Sequence, residues 1–115
     1  MSKLYQGRRT PDGCRVTVNN KPLPVRHEVL NHSPDGFEWG YGGSGPAQLA
    51  LAILCDHLGA PAGTKTGPLV ERAVRLHQDF KWRVIAALKW QSWSLTSGDV
   101  DEALNLKEAW QEKSA

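Results

Sequence analysis

Hydrophobic and polar residues alternate along two stretches in the first third of the chain. The apolar side chains of segment 14–18 fall on one face of an extended strand, as do the aromatic side chains of segment 37–41, because strand side chains repeat every two residues. A Pro-Asp-Gly tripeptide, typical of a tight turn, precedes each stretch, at 11–13 and at 34–36. The pattern therefore predicts two antiparallel hairpins. Their strands are 3–9 with 14–18 and 25–30 with 37–41.

The hydrophobic period changes to that of a helix after residue 41. Three helices are predicted, at about 46–58, 68–88 and 97–112. The first is apolar on almost every side, which predicts that it is buried at the centre of the core. The third begins at a capping-box pattern formed by Thr96 and Asp99. These elements predict one α+β domain over residues 1–115, with a small antiparallel sheet of three or four strands, made by two N-terminal hairpins between about residues 3 and 41, packed against three helices.

Composition is that of a globular protein. Of the 115 residues, 40% are hydrophobic and 23% are charged, which excludes a disordered chain and suits a single core. The N-terminus lacks the apolar segment of a secretory signal, and the longest apolar run, 49–55, is far shorter than the ~20 residues that cross a bilayer. We therefore expect a cytoplasmic protein with no membrane partner.

Charge is distributed in blocks along the chain, although the formal net charge is only +2. Residues 1–31 carry +4, residues 32–64 carry −3, residues 65–90 carry +4 and residues 91–115 carry −3. The two basic blocks would form one positive surface if they meet in space. A solvated surface of mixed charge is the commoner arrangement in small domains.

Trp82 has no obvious place in the core, because the helical wheel puts it on the polar half of the second helix. A large aromatic side chain among cations is typical of a protein-binding hot spot or of a platform that stacks on nucleic-acid bases. We expect partner contacts from Trp82, from polar and basic side chains on its side of the chain, and from the N-terminal arginines. The additional residues are Arg75, Gln78, Lys89, Arg8, Arg9 and Arg15. Alternatively, Trp90 or Trp93 from the connection between the last two helices, or Trp110 from the third helix, folds over this face and covers it.

A glycine-rich loop leads into the first helix and is a second candidate site. Backbone N–H groups at such a loop, next to the positive end of a helix dipole, are able to hold a phosphate group. The loop lacks the spacing of a P-loop and of the dinucleotide fingerprint, and a tight turn by itself also requires glycines. Both interpretations stay open for this loop. Its residues are Gly42, Gly43, Ser44 and Gly45.

The sequence contains no catalytic or metal-binding motif. The histidines and carboxylates near the second predicted hairpin, such as His32 and Glu38, have no ligand spacing, and His77 lies on the apolar face of its helix. Ser44 lacks the elbow motif of a hydrolase, and Cys55 lies in the buried helix, where an apolar setting makes a thiol inert. We therefore expect no enzymatic activity, no cofactor and no metal ion.

Three blocks of the chain carry a specific residue pattern. The central block runs from Phe37 to Leu54, and it is followed by Leu-His-Gln-Asp-Phe-Lys-Trp at 76–82 and by Trp-Ser-Leu-Thr at 93–96. Together these blocks resemble a family of small prokaryotic and phage proteins that is catalogued as a domain of unknown function. The resemblance extends from about residue 5 to the third helix. It implies no activity, catalytic residue or cofactor, but it does imply an accessory role on a phage or other mobile element.

The sequence therefore predicts a non-catalytic binding protein. Its expected partner is a host protein or protein–nucleic acid complex, which it blocks or modulates by steric binding, in the manner of a CRISPR inhibitor. The alternative is a protein that senses or sequesters a nucleotide or other phosphate-bearing ligand at the glycine-rich loop. Direct nucleic-acid binding would show an affinity that falls steeply with salt, and a homodimer would bury the face that carries Trp82.

Overall fold

The structure, a computed structural model, describes the backbone of residues 2–114 and the side chains of residues 2–105. Its strands are β1 (Leu4–Thr10), β2 (Gly13–Val18), β3 (Lys21–Pro22) and β4 (Ser92–Thr96). Its helices are α1 (Ser44–Leu58), α2 (Pro68–Arg83) and α3 (Ser97–Ser114), with a short 3-10 helix at Ile85–Ala87. The strands form one antiparallel sheet in the order β3-β2-β1-β4. The predicted α+β class, a small antiparallel sheet with three helices, is confirmed.

The first predicted hairpin is confirmed. β1 pairs with β2 in antiparallel register, with Arg8 opposite Arg15, and the chain turns at residues 11–12. After β2 the chain turns again at Asn19 and Asn20, whose φ angles are 49° and 67°. Two consecutive positive φ angles are characteristic of the turn that matches the twist of a two-residue hairpin, and asparagine tolerates them. This turn brings β3 back along β2.

The second predicted hairpin, 25–30 with 37–41, is wrong, because the structure has no strand in either segment. A local turn and a side chain, rather than a partner strand, take the backbone hydrogen bonds of the first segment and its surroundings. In the turn, the N–H of Val29 donates to the carbonyl oxygen of Arg26 at 3.0 Å. Gln48 of α1 donates to two carbonyl oxygens there and accepts a hydrogen bond from the N–H of His32 at 2.8 Å. Arg26 has a φ angle of 67°, outside the strand region, and its buried guanidinium donates to the loop that follows α1.

The fourth strand comes from the connection between the last two helices, where no strand is predicted. β4 pairs with β1 in antiparallel register, with Gly7 opposite Trp93. Side chains along 92–96 alternate between covered and exposed positions, which is the signature of a half-buried strand. α2 ends at Arg83 instead of continuing to about residue 88, and the 3-10 helix then leads the chain into β4.

α1 is the centre of the core, as its apolar composition predicts. Every residue from Gly45 to Cys55 is buried. The sheet covers this helix with one face, to which β1 contributes Tyr5 and Gly7, while Gln6 and Arg8 are exposed on the outer face. The outer face of the sheet is therefore polar and open to solvent.

α3 begins at the predicted capping box. The N–H of Asp99 donates to Oγ1 of Thr96 at 3.1 Å, and the N–H of Thr96 donates to the Asp99 carboxylate at 2.9 Å.

Over the part of the chain that the structure describes, no helix combines the length and the hydropathy that crossing a bilayer requires.

Candidate functional site

Three large aromatic side chains are exposed around one loop, residues 40–43. Trp82 is 61% exposed, Trp90 is 57% exposed and Tyr41 is 45% exposed. We call these three residues the aromatic surface. Each ring lies against a glycine of the loop. The contacts are Trp82 on Gly42, Trp90 on Gly40 and Tyr41 on Gly43. A β-carbon would overlap the ring at Gly42 and at Gly43, and at Gly40, whose φ angle is 85°, it would press against the ring of Trp90.

Trp82 lies on the exposed side of α2, as the helical wheel indicates. A β-carbon at Gly42 would overlap the six-membered ring of its indole, so the ring rests directly on the loop backbone. The ammonium group of Lys81 lies 4.4 Å from the ring centroid and is attracted by the π-electrons. The side chain is therefore exposed and also held in place.

The sequence leaves open that another tryptophan covers Trp82. The candidate tryptophans that the structure describes do not lie over its ring. Trp93 is buried in the core, with its ring edge-to-face against Trp39. Trp90 lies against the other end of the loop and is itself exposed. Trp110 lies outside the described side chains. Neither described tryptophan covers the ring of Trp82.

Arg9 holds Trp90 in place. Its guanidinium carbon lies 3.5 Å from the ring centroid, and its Nε donates to the carbonyl oxygen of Trp90 at 2.8 Å. The remaining guanidinium nitrogens bind both carboxylate oxygens of Glu38, at 2.6 and 3.0 Å. These hydrogen bonds lower the pKa of Glu38. Arg9 was expected to contact a partner, but its side chain is committed to this internal network and is only 17% exposed.

The glycine-rich loop is covered by the protein's own side chains. The contacts are Trp82 on Gly42, Tyr41 on Gly43 and Glu38 on Gly45. Close packing of these three side chains gives the three glycines a structural role, and phosphate binding at the loop stays a prediction. Ser44, the first residue of α1, is exposed. Because Trp82 and Tyr41 pack on the two glycines directly before α1, the aromatic surface borders the N-terminus of this helix.

Arg8, Arg15 and Lys89 meet at a groove on the outer face of the sheet. The groove has a volume of about 980 Å³ and lies between the outward side chains of β1, β2 and β4 and the segment 87–89. We call it the cationic groove. The two basic blocks of the sequence thus meet in space at this point. No Asp or Glu is among the described residues that line it.

The two remaining predicted contact residues lie on α2. Gln78 is exposed one turn before Trp82, with its amide nitrogen 3.4 Å from the ring of His77. Arg75 lines a smaller, mainly apolar cleft of about 310 Å³ between α2 and the segments before and after α1. The predicted contact set is therefore divided: Trp82 belongs to the aromatic surface, three members line the cationic groove and Arg75 lines this cleft, while Gln78 is exposed near Trp82 and Arg9 lies in the internal network.

The hydrophobic pattern does not reveal the exposure of Tyr41. Alternation puts Tyr41 on the same strand face as Phe37 and Trp39, but Gly40 has a φ angle of 85° and breaks the extended backbone. Trp39 is consequently fully buried while Tyr41 is 45% exposed. The signal in the sequence is the glycine itself, since glycines at 40, 42 and 43 alternate with and follow aromatic residues.

His32 and His77 form a hydrogen-bonded pair, with their Nε2 atoms 3.0 Å apart. Nδ1 of His77 donates to the carbonyl oxygen of Val74 at 2.6 Å, so its Nε2 accepts from His32. Burial lowers the pKa of His77 and favours this neutral form. His77 is a satisfied core residue, as predicted. Within the described part of the chain, no group of three or more His, Cys, Asp or Glu residues is arranged to hold a metal ion.

The fold and these surfaces define a small α+β protein that carries an aromatic surface and a cationic groove. The chain belongs to a family of proteins of unknown function, DUF6166, whose model matches residues 5–106. This match confirms the resemblance found in the sequence blocks, while a prokaryotic or phage origin stays a prediction. No curated protein and no solved structure matches the chain.

Proposed function

We propose that this protein is a cytoplasmic, non-catalytic binding protein that blocks or modulates a host complex by occupying one of its surfaces. Such an activity suits an accessory protein of a phage or other mobile element. The observation that carries the proposal is Trp82, which is 61% exposed and yet rests against the backbone at Gly42. Tryptophan and tyrosine are enriched in binding hot spots, because they offer a large apolar area on a side chain with few rotatable bonds.

The size of the aromatic surface supports a role at the centre of an interface. The exposed parts of Tyr41, Trp82 and Trp90 add up to roughly 400 Å², if a fully exposed indole presents about 250 Å². One partner of a standard protein–protein interface contributes about 800 Å². The aromatic surface would therefore supply about half of such an interface, and its surroundings would supply the polar rim.

The aromatic rings are ordered before any partner binds. Trp82 rests on the loop under a cation–π contact, and Trp90 is held by Arg9. Immobilising a flexible side chain at an interface costs about 0.5–1.5 kcal/mol, and a ring that is already held avoids much of this loss. A rigid aromatic surface supports inhibition by steric occupation, which requires tight binding and no chemistry.

Affinity capture from host lysate tests this proposal with three proteins: the native chain, Trp82→Ala and Leu69→Ala. Leu69 is the matched control, because it is 42% exposed on the same helix and lies about 20 Å from Trp82 along the axis. A protein captured by the native chain and by Leu69→Ala, but not by Trp82→Ala, is then purified. Its affinity for all three chains is measured by calorimetry, with thermal unfolding as the control for folding.

Loss of affinity by at least tenfold in Trp82→Ala, with Leu69→Ala unchanged, is the expected result, since a hot-spot residue contributes about 2 kcal/mol or more. Equal binding by all three chains would refute the proposal. Light scattering of the same chains tests the homodimer. A native dimer that becomes a monomer in Trp82→Ala would identify the partner as a second copy of this chain.

A further inference from the structure

The cationic groove has a chemistry of its own, separate from that of the aromatic surface. The geometry points to a binding site there for the sugar–phosphate backbone of a single nucleic-acid strand, with Arg8, Arg15 and Lys89 as the phosphate-binding residues. This inference goes beyond the proposed function, because it rests on the outer face of the sheet and on no residue of the Trp82 contact.

Unpaired positive charge is the first reason. Arg8 and Arg15 are directly opposite each other on β1 and β2, a position in which like charges repel. No described residue forms a side-chain hydrogen bond or ion pair with either guanidinium, whereas Lys3, Arg26 and Arg83 each pair with a carboxylate. The sheet therefore keeps an unfavourable charge pair at its surface, and an anion in the groove would neutralise it.

The donor chemistry of the groove is the second reason. Arginine and lysine side chains only donate hydrogen bonds, and the oxygens of a phosphodiester backbone only accept them. The hydroxyl and amide groups of Gln6, Thr17, Ser92 and Ser94 add further donors along the same lining. An acidic peptide would also meet the cations, but its backbone N–H groups would have only the amide and hydroxyl oxygens of the described lining as acceptors, since that lining holds no carboxylate. A phosphate backbone therefore fits better than a peptide.

The shape of the groove is the third reason. β1 lies between β2 and β4, and neighbouring strands are about 4.8 Å apart, so the floor is about 10 Å wide. This width suits one sugar–phosphate strand. The volume of about 980 Å³ is open to solvent, whereas pockets for small ligands enclose about 70–90% of the ligand surface. An extended strand that continues beyond the groove fits this opening better than a free nucleotide does.

Fluorescence anisotropy with a labelled single strand of about 12 nucleotides, as DNA and as RNA, tests the inference. Three phosphate contacts on a single strand predict a salt slope of about −2, which lowers the affinity about 20-fold between about 50 and about 200 mM salt. Lys89→Gln is compared with Lys65→Gln, which removes an equivalent exposed lysine from outside the groove. The double variant Arg8→Gln/Arg15→Gln removes the opposed pair.

The expected result is weaker binding and a smaller salt slope, by about 0.7 for each charge removed, in Lys89→Gln and in the double variant but not in Lys65→Gln. Arg8 and Arg15 repel each other in the native chain, so the double variant should melt at the same temperature as the native chain or above it. Unfolding then cannot explain its loss of strand binding. Trp82→Ala should bind the strand normally, which separates this inference from the proposed function.

Four results with nucleic acid or phosphate, and a fifth with a peptide, would overturn the inference. These are the absence of any strand binding at about 50 mM salt, equal losses in Lys89→Gln and Lys65→Gln, tighter binding of a duplex of the same sequence, and full competition by inorganic triphosphate at equal phosphate concentration. Equal binding of polyglutamate would likewise overturn it, in favour of an acidic peptide.

Discussion

Replacing Gly42 with alanine is expected to release Trp82 from the loop without touching the tryptophan itself. The added methyl group would overlap the indole, and the three atoms nearest to it all belong to Trp82. The backbone at residue 42 does not have a positive φ angle, so alanine is compatible with its conformation. The strain of the substitution therefore falls on the ring, which has room to move because it faces solvent.

The magnitude follows from the buried part of the indole. Trp82 is 61% exposed, so about 100 Å² of its surface is covered, which corresponds to at most about 2.5 kcal/mol at 25 cal/mol per Å². A displaced ring recovers part of this contact elsewhere, and we expect Gly42→Ala to lower the free energy of unfolding by about 1–2 kcal/mol. For a chain of 115 residues this is a fall in Tm of about 4–8 °C.

The decisive measurement is a double-mutant cycle by urea or thermal unfolding. In the Trp82→Ala background the methyl group at residue 42 meets no ring, and alanine should be neutral or stabilise the protein by about 0.4–1 kcal/mol by restricting the unfolded chain. Gly42→Ala should therefore change sign between the two backgrounds. It should also weaken partner binding although Trp82 is still present. An equal loss of stability in both backgrounds would refute the contact between the ring and the loop.

Three further predictions concern the core. Gln48→Leu leaves two carbonyl oxygens and two N–H groups before α1 without their partner, and should lower the free energy of unfolding in urea by about 3 kcal/mol or more; an unchanged midpoint would contradict this. Burial lowers the pKa of His77 below the unfolded value of about 6.5, so the unfolded chain binds more protons below that pH and stability should fall as the pH drops from about 6.5. A His77→Gln chain whose stability showed the same pH slope would argue against this assignment. In Gly7→Ala the added methyl group would collide with the ring of Trp93, which is buried and cannot move into solvent. The free energy of unfolding should fall by about 3 kcal/mol, and the near-ultraviolet circular dichroism should weaken. A native spectrum together with a native Tm would contradict this.

Local signals were sufficient where the chain folds against its sequence neighbours. The Pro-Asp-Gly turn at 11–13 joins strands that are adjacent in the sequence, and it forms the predicted hairpin. Gly59, the residue after the predicted end of the first helix at 58, has a φ angle of 86° and caps α1. The capping box between Thr96 and Asp99 likewise depends on residues three apart. In each case the stabilising contact joins residues that are close together in the sequence.

Non-local contacts decided the elements that the sequence pattern did not predict. The segment 25–30 has the composition of a strand, but its backbone forms a local turn in which the N–H of Val29 donates to the carbonyl oxygen of Arg26. Gln48 binds two further carbonyl oxygens of the segment, so it needs no partner strand. β4 has the alternation of a strand, but the sequence pattern assigns this segment to a connection between helices. Its partner strand, β1, lies more than 80 positions earlier in the chain, so the pairing leaves no local signal. Whether Lys89 joins the N-terminal arginines depends in the same way on this pairing, because β4 brings the end of the second basic block beside the first.

The arginines at positions 8 and 9 show how a strand divides neighbouring residues between two surfaces. Both were predicted to contact the same partner, but successive side chains of β1 point to opposite faces of the sheet. Arg8 therefore lines the cationic groove, whereas Arg9 lies on the face that covers the core and holds Trp90 and Glu38. Lys89 and Trp90 are divided in the same way, since Lys89 lines the groove and the ring of Trp90 packs on Arg9.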